Sequence, residues 1–324
     1  MPTILITGIN GFVGSNFTRD WKDRFTLYGL DIHQPTKEGV QRIFSWDELG
    51  KIPHVDAIVH LAGKAHDTKN PHAPARHAAV LRVDDHGNLL ISIDIRRIFD
   101  YFLQSDARTC VFFSSVKAAA DSVPGDVLTE EVVPHPIGPY GESKIRAEEY
   151  IAKEMSREPR AVGKRIFILR PCMIHGPGNR GNLNLLYSVV KRGIPWPLGA
   201  YDNRRSFCSI GNISFVVRNL IEKEDVPGGV YHVGDDEPLS TNELIGLMCD
   251  SLHHKAHIWW LPRAIIGGMA SLGSLLHLPL NRERLQKLTE NYVVSNAKIK
   301  QALGIDSMPL SAREGMKKTL ESFK

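Results

Sequence analysis

Tyr140 and Lys144 stand four residues apart in Tyr140-Gly141-Glu142-Ser143-Lys144, at the start of a strongly helical segment running from Ser143 to Met155. At that spacing two side chains share one face of a helix. A phenol is a poor base near neutral pH because its reference pKa is about 10, and an adjacent ammonium favours the phenolate. Such a tyrosine can exchange a proton with a substrate hydroxyl while another group takes the hydride. Tyr-x-x-x-Lys is common by chance, so its surroundings must decide. Upstream, Val111-Phe112-Phe113-Ser114-Ser115 is a buried-strand pattern ending in two hydroxyls. It puts the serines at the carboxyl edge of a sheet, where open α/β sheets bind ligands.

A second pattern supplies the hydride carrier. The apolar run Ile4-Leu5-Ile6-Thr7 leads into Gly8-Ile9-Asn10-Gly11-Phe12-Val13-Gly14, and a helix-like segment opens at Phe12. Glycine is required in such a turn because side chains would block the tight bend, the approach of a pyrophosphate, or the packing of helix on strand. The anion then sits at the helix N-terminus, where free N–H groups and the dipole favour it. The following strand ends in Leu30-Asp31-Ile32, and its carboxylate can accept hydrogen bonds from ribose hydroxyls. Asp31 would repel a 2′-phosphate, so the expected cofactor is NAD and not NADP.

These residues need a parallel sheet to hold them. Strand-like runs at Ile4 to Thr7, Thr26 to Leu30, Ala57 to Leu61, Val111 to Ser114 and Arg165 to Leu169 alternate with helix-like segments. Near-continuous apolar strands separated by helices indicate a sheet covered on both faces. The fold class predicted is α/β, a Rossmann doubly wound parallel sheet with a smaller C-terminal α/β substrate lobe. After Pro171 the chain turns to Gly, Pro and Asn-rich loops with helix-like segments at Asn182 to Lys191, Ser214 to Glu222 and Thr241 to Leu252. The boundary expected is therefore 1–171 for the NAD-binding domain and 172–324 for the substrate-binding lobe, approximate, with room for the chain to cross back.

Composition narrows the class. With 42% hydrophobic and 23% charged residues over 324 positions, the chain has the balance of a soluble globular protein. Its formal charge of +4 comes without basic runs, so nucleic acid is not the expected partner. No secretory signal opens the sequence, and a cytoplasmic location is expected. Cys110, Cys172, Cys208 and Cys249 show neither metal-ligand spacing nor a disulfide framework, so no metal is expected. From Ile258 to Leu278 the chain is mostly apolar, but Pro262, Arg263, several glycines and His277 break it, and it is not expected to cross a bilayer.

Taken together, the chain resembles the extended short-chain dehydrogenase/reductase superfamily, within it the NAD-dependent epimerase/dehydratase group of sugar-nucleotide enzymes. The marks are Thr7-Gly8-x-x-Gly11-Phe12-x-Gly14, Asp31, Asp56-Ala57-Ile58-Val59-His60-Leu61-Ala62-Gly63, Phe113-Ser114-Ser115, Pro139-Tyr140-Gly141-x-Ser143-Lys144 and Leu169-Arg170-Pro171. The resemblance implies that Ser115 hydrogen-bonds the reacting sugar hydroxyl, that Tyr140 is the acid/base and that Lys144 holds the nicotinamide ribose. It implies cofactor contacts at Gly8, Asn10, Gly11, Phe12, Val13, Gly14, Asp31, Ile32, Leu61, Ala62, Gly63 and Pro171. In the second lobe it assigns Asn182, Leu183, Trp196, Leu198 and Arg205 to the substrate. Arg205 suits a diphosphate because its planar fork binds two oxygens at once. Arg204 beside it is the alternative.

Three departures qualify the pattern. Where the family has Asn-Val-x-Gly-Thr this chain has Asp84-Asp85-His86-Gly87-Asn88, and residues 70–98 are left unassigned. The serine strand continues Val116-Lys117-Ala118-Ala119-Ala120, without the Thr-Asp-Glu run of sugar 4,6-dehydratases, which disfavours dehydration. Met173 replaces a frequent asparagine. The activity implied is 4-epimerisation of a UDP-linked hexose or N-acetylhexosamine for polysaccharide synthesis. A sugar-nucleotide reductase or dehydrogenase, an epimerase of a polyprenyl-diphosphate-linked sugar, and a non-catalytic NAD-binding regulatory protein stay open as alternatives. A homodimer is implied, and the apolar stretch from Trp259 to Leu278 leaves peripheral membrane contact open.

Overall fold

Short strands follow one another along the chain as β1 (Thr3–Thr7), β2 (Thr26–Leu30), β3 (Arg42–Phe44), β4 (Ala57–His60), β5 (Arg82–Val83) and β6 (Leu89–Leu90). Then come β7 (Thr109–Phe113), β8 (Arg165–Pro171), β9 (Met173–His175), β10 (Phe207–Ser209) and β11 (Gly229–Val233). The structure is a computed structural model that describes residues 1–63, 82–83, 89–90, 93–179, 181–275 and 281–323. The segment Asp84 to Asn88 lies outside these residues, as do Leu276, His277 and Leu278.

Seven strands form one sheet in the order β11-β8-β7-β4-β1-β2-β3, and every pair in it is parallel. This is the doubly wound arrangement the sequence predicts. Strand order reverses between β1 and β4, which opens a crevice at the carboxyl ends of the strands. Side chains alternate across the sheet with the two-residue period of a strand. Ile4, Ile6, Val59, Val111 and Phe113 enter one core, while Leu5, Ile58, Cys110 and Phe112 enter the other. Burial on both faces is why the strands read as unbroken apolar runs.

Helices α1 (Phe12–Trp21), α2 (Ile93–Gln104), α3 (Pro139–Arg157), α4 (Asn182–Lys191) and α5 (Ile210–Glu222) come next in chain order. They are followed by α6 (Thr241–Ser251), α7 (Arg263–Leu275), α8 (Arg282–Thr289), α9 (Ala297–Leu303) and α10 (Ala312–Glu321). α1, α5 and α9 cover the first face through Phe17, Trp21, Val216, Val217 and Ile299. α2 and α3 cover the second through Phe99, Phe102, Ala147 and Ile151. Thus β11, α5 and α9, all after residue 172, return to the sheet.

The rest of the second half builds its own cores. Leu183 and Tyr187 of α4 pack on Leu244 and Met248 of α6 and Met316 of α10. α7 and α8 close a smaller cluster of Ile266, Ala270 and Leu285 around Leu198. The four cysteines are buried and free.

Trp21 joins the two halves. It stacks on Phe17 with ring centroids 4.3 Å apart, and its indole N–H donates to Ser214 Oγ of α5 at 3.0 Å. Removing a buried aromatic of this size typically costs about 3–5 kcal/mol. Trp21→Ala is expected to lower the unfolding free energy, measured by urea titration, by about 3–5 kcal/mol. A loss under about 1 kcal/mol would contradict its role as the tie between α1 and α5.

Candidate active site

The turn after β1 is shaped by what its glycines exclude. Gly8 has φ +68°, and a Cβ there would meet Ala62 Cα and N at 3.0 Å. A Cβ on Gly14 would lie 2.7 Å from Gly8 O and from Ile9 Cα. The backbone therefore folds against the end of β4 with no room for a side chain. Gly11 caps α1 without a side-chain hydrogen bond, and the first helical turn, from Phe12 and Val13, has no acidic residue. That leaves backbone N–H groups for an anion.

Asp31, just past β2, faces this turn. Its Oδ2 accepts from the Asn10 N–H at 3.0 Å and its Oδ1 from the Ile32 N–H at 2.8 Å. The Asn10 amide donates to His33 O at 2.9 Å. Oδ1 also takes the His33 N–H at 3.5 Å; a carboxylate oxygen offers two lone pairs, so Oδ2 keeps one for a ribose hydroxyl. The glycine cradle, the bare helix end and this carboxylate fit a dinucleotide. Lys37, which the sequence patterns do not single out, donates to Ile9 O and to Ser15 Oγ on the same turn. Burial lowers its ammonium below the usual lysine range, and Asp31 opposes that.

Across the crevice, Leu61, Ala62 and Gly63 leave β4. The Thr7 hydroxyl bonds His60 Nδ1 at 2.8 Å and accepts from the Ala62 N–H at 3.0 Å, which fixes the path of these residues. Burial, reinforced by the Lys144 charge, pulls His60 down to about 3, so its imidazole is neutral. Pro171 ends β8 in a buried position.

The candidates Ser115, Tyr140 and Lys144 meet at the same edge. Gly138 (φ +91°) turns the chain, and Pro139, whose fixed φ suits a first helical position, starts α3 four residues earlier than composition predicts. Tyr140 therefore sits in the first turn. Gly141 lets that turn approach the loop after Ser115, since a Cβ would lie 2.4 Å from Lys117 O. The Ser115 hydroxyl is hydrogen-bonded to the Tyr140 phenol, which favours the phenolate, yet burial dominates and pushes the phenol up. Lys144, one turn on, donates to Phe113 O at 2.8 Å. Its Nζ would lie 3.7 Å from a Cβ on Gly63, so both halves of the crevice converge on this ammonium. Burial lowers Lys144 to about 8, and Glu148 holds it from falling further.

Glu148 extends the spacing of Tyr140 and Lys144 by one more turn. It is buried, forms a two-pronged pair with Arg170 of β8 (2.6 to 3.1 Å), and accepts from Ser114 Oγ. Sequence patterning assigns it no role; the repeat of four from Tyr140 was the available signal.

The second-lobe candidates are more dispersed. Asn182 is exposed at the start of α4, and the Leu183 and Leu198 side chains are buried in apolar clusters. Trp196 is partly buried, and its indole N–H has no partner among the described residues. The Arg205 guanidinium donates to Lys287 O and, at 3.3 Å, to Glu290, while its buried Nε has no partner among the described residues. Arg204 is exposed beside it. Tyr292 links this strip to the serine loop: it pairs with Arg205 through the backbone, and its phenol donates to Ala120 O at 2.6 Å. Among the described residues there is no cluster able to hold a metal, and no helix is long and apolar enough to cross a membrane.

The NAD dependent epimerase/dehydratase family model matches residues 4–234, and the chain belongs to that family. The UDP-glucose 4-epimerase of Vibrio cholerae is 26% identical over 338 residues, spanning 100% of this chain and 96% of its own. The N-acetyl-alpha-D-glucosaminyl-diphospho-ditrans,octacis-undecaprenol 4-epimerase of Escherichia coli O157:H7 is 25% identical over 305 residues, 92% of this chain and 84% of its own. Among solved structures, the Thermus thermophilus UDP-glucose 4-epimerase in complex with NAD has a TM-score of 0.68 at 19% identity, covering 99% of this chain and 98% of that one. At that identity the likeness is one of fold.

Lys144 loses its proton as pH rises through about 8. Glu148→Gln removes the carboxylate that favours the ammonium, so the midpoint is expected to fall below about 8. A pH titration of the 13C-labelled lysine side chain reads this directly. A midpoint unchanged or raised would contradict the coupling.

Proposed function

We propose that the chain is an NAD-dependent 4-epimerase of a UDP-linked hexose or N-acetylhexosamine. The observation that carries this reading is the Ser115 and Tyr140 hydrogen bond, with Lys144 one turn away, at the crevice where the glycine turn and Asp31 converge. Family membership and the names of the Vibrio cholerae and Escherichia coli relatives support it. In this reading the residues up to Pro171 hold the cofactor and most of those beyond it hold the substrate. Gly8, Asn10, Gly11, Phe12, Val13 and Gly14 cradle the pyrophosphate, Asp31 and Ile32 face the adenosine ribose, and Leu61, Ala62, Gly63 and Pro171 line the nicotinamide half. Bound NAD would supply an acceptor for the hydride of the sugar C4 and a donor for its return.

Tyr140 takes the proton of the 4-hydroxyl as its carbon is oxidised and restores it when the 4-keto group is reduced. Ser115 holds that oxygen by a hydrogen bond throughout. Lys144, kept cationic by Glu148 beneath it, counters the burial that disfavours the phenolate and reaches the nicotinamide ribose. Asn182, Leu183, Trp196, Leu198 and Arg205 are the substrate strip, Leu183 and Leu198 through their backbone because their side chains are buried. Val116 and Ala118 follow the serines and offer no acid to expel water. The next acid, Asp121, is held by Lys117 at 3.4 Å and by the Ile137 N–H. Epimerisation, which needs no such acid, is favoured over dehydration.

Pure protein incubated with UDP-glucose, UDP-N-acetylglucosamine and their C4 epimers, with no coenzyme added, is expected to interconvert one pair, read by NMR. Failure with every UDP-sugar, or turnover only with stoichiometric coenzyme consumption, would sink the proposal. Tyr140→Phe removes the acid/base, so turnover should fall by about 10²–10⁴-fold while NAD affinity is kept. Separately, Asp31→Ala should weaken NAD by roughly 10–100-fold in calorimetric titration, since a hydrogen bond to a charged group contributes about 1.5–3 kcal/mol. NADP binding should not weaken with it. Equal losses for both would show that Asp31 does not choose between them.

A further inference from the structure

Helix α7 has two apolar faces, and among the described residues one of them packs into a core while the other stands exposed. Ile266 and Ala270, four residues apart, pack against Leu198 and Leu285. Ile265, Met269 and Leu272, spaced by four and three, share another face and are each more than half exposed. Trp259 (54% exposed) and Trp260 (71%) stand in the open as well, in the extended segment just before the helix. Large apolar side chains seldom gather in the open on a soluble protein unless something covers them.

The charge of the sequence that carries this surface says what covers it. Between His253 and Thr289 the sequence holds Lys255, Arg263, Arg282, Arg284 and Lys287 against a single acidic residue, Glu283. That excess equals the whole formal charge of +4, so the other residues of the chain are together neutral. Lys255, Arg263, Arg282 and Lys287 are exposed. An apolar stripe led by tryptophans and set in positive charge matches the interfacial zone of an anionic bilayer, where indole rings settle and basic residues meet acidic headgroups. A second copy of this chain would instead bring the same positive charge against itself.

We infer that the Trp259, Trp260 and α7 face docks on anionic membrane surfaces. The helix, 13 residues long, lies in the interface and does not span it. This surface is coupled to the substrate strip of the proposed function. The Trp196 backbone N–H donates to His257 O and the Trp259 backbone N–H to Trp196 O, both at 2.8 Å, and Arg263 Nε donates to Ala200 O at 3.0 Å. Docking there holds residues 196–200 close to the bilayer, within reach of a diphosphate carried at its surface. The docking itself stands whichever sugar is turned over.

The test is co-sedimentation of the full chain with vesicles of phosphatidylcholine alone or containing phosphatidylglycerol. Retention is expected on the anionic vesicles, weakening as salt is raised. The double variant Met269→Glu and Leu272→Glu should lose retention about 10-fold, and so should Lys255→Glu with Lys287→Glu, with the wild-type melting temperature kept. A chain that stays in the supernatant with both vesicle types overturns the inference. So does equal binding to neutral and anionic vesicles. A dimer that the Met269→Glu and Leu272→Glu variant splits, without vesicle binding, would assign the face to a second copy and overturn it as well.

Discussion

A single buried carboxylate sets the position of α3. Glu148 lies under the carboxyl edge of the sheet, paired through two prongs to Arg170 of β8 and accepting from Ser114 at the end of β7. Burying such a pair costs desolvation, and removing one partner leaves a stranded charge, an imbalance of about 3–5 kcal/mol. The pair therefore fixes geometry more than it adds stability. With Glu148 pinned to two strands, Lys144 and Tyr140, one and two turns upstream on the same face, are held over the crevice. The same negative charge keeps the lysine ammonium from falling further in a site where burial opposes it.

The opposite wall is set by absence of atoms. Gly8 passes so near Ala62 that β1 and β4 bring their ends together only without a Cβ, and Gly14 lets α1 close on the turn. Sterics on one side and a buried ion pair on the other converge where Gly63 faces Lys144. The proposed cofactor pocket and the proposed acid/base pair thus share one edge of one sheet, positioned by residues to which the proposal gives no chemistry.

Much of this was legible in the sequence, for reasons tied to particular residues. The strands show because burial on both faces leaves no polar phase, and the glycine turn shows because its backbone geometry admits no substitute. Tyr140 and Lys144 show because helical spacing is local. What stayed hidden is tertiary. Glu148 reads as one more surface charge of a polar helix until Arg170, on a different element, is brought against it. β11 lies deep in the stretch assigned to the second lobe, and no local signal says that Gly229 to Val233 returns to the sheet. Lys37 sits in a loop with no pattern, and its grip on Ile9 depends on how that loop folds back. Arg205 suggested a free fork for phosphate, whereas Glu290 already takes one prong.

The chemistry proposed for this edge is a closed cycle: the hydrogen removed from C4 returns to C4 on the other face, while Tyr140 holds the oxygen's proton. The fate of that hydrogen tests the cycle most directly. A UDP-sugar carrying deuterium at C4, turned over in ordinary water without added coenzyme, is expected to yield an epimer that still carries deuterium at C4. Loss of the label to solvent, or its appearance on coenzyme free in solution, would contradict return within a single site.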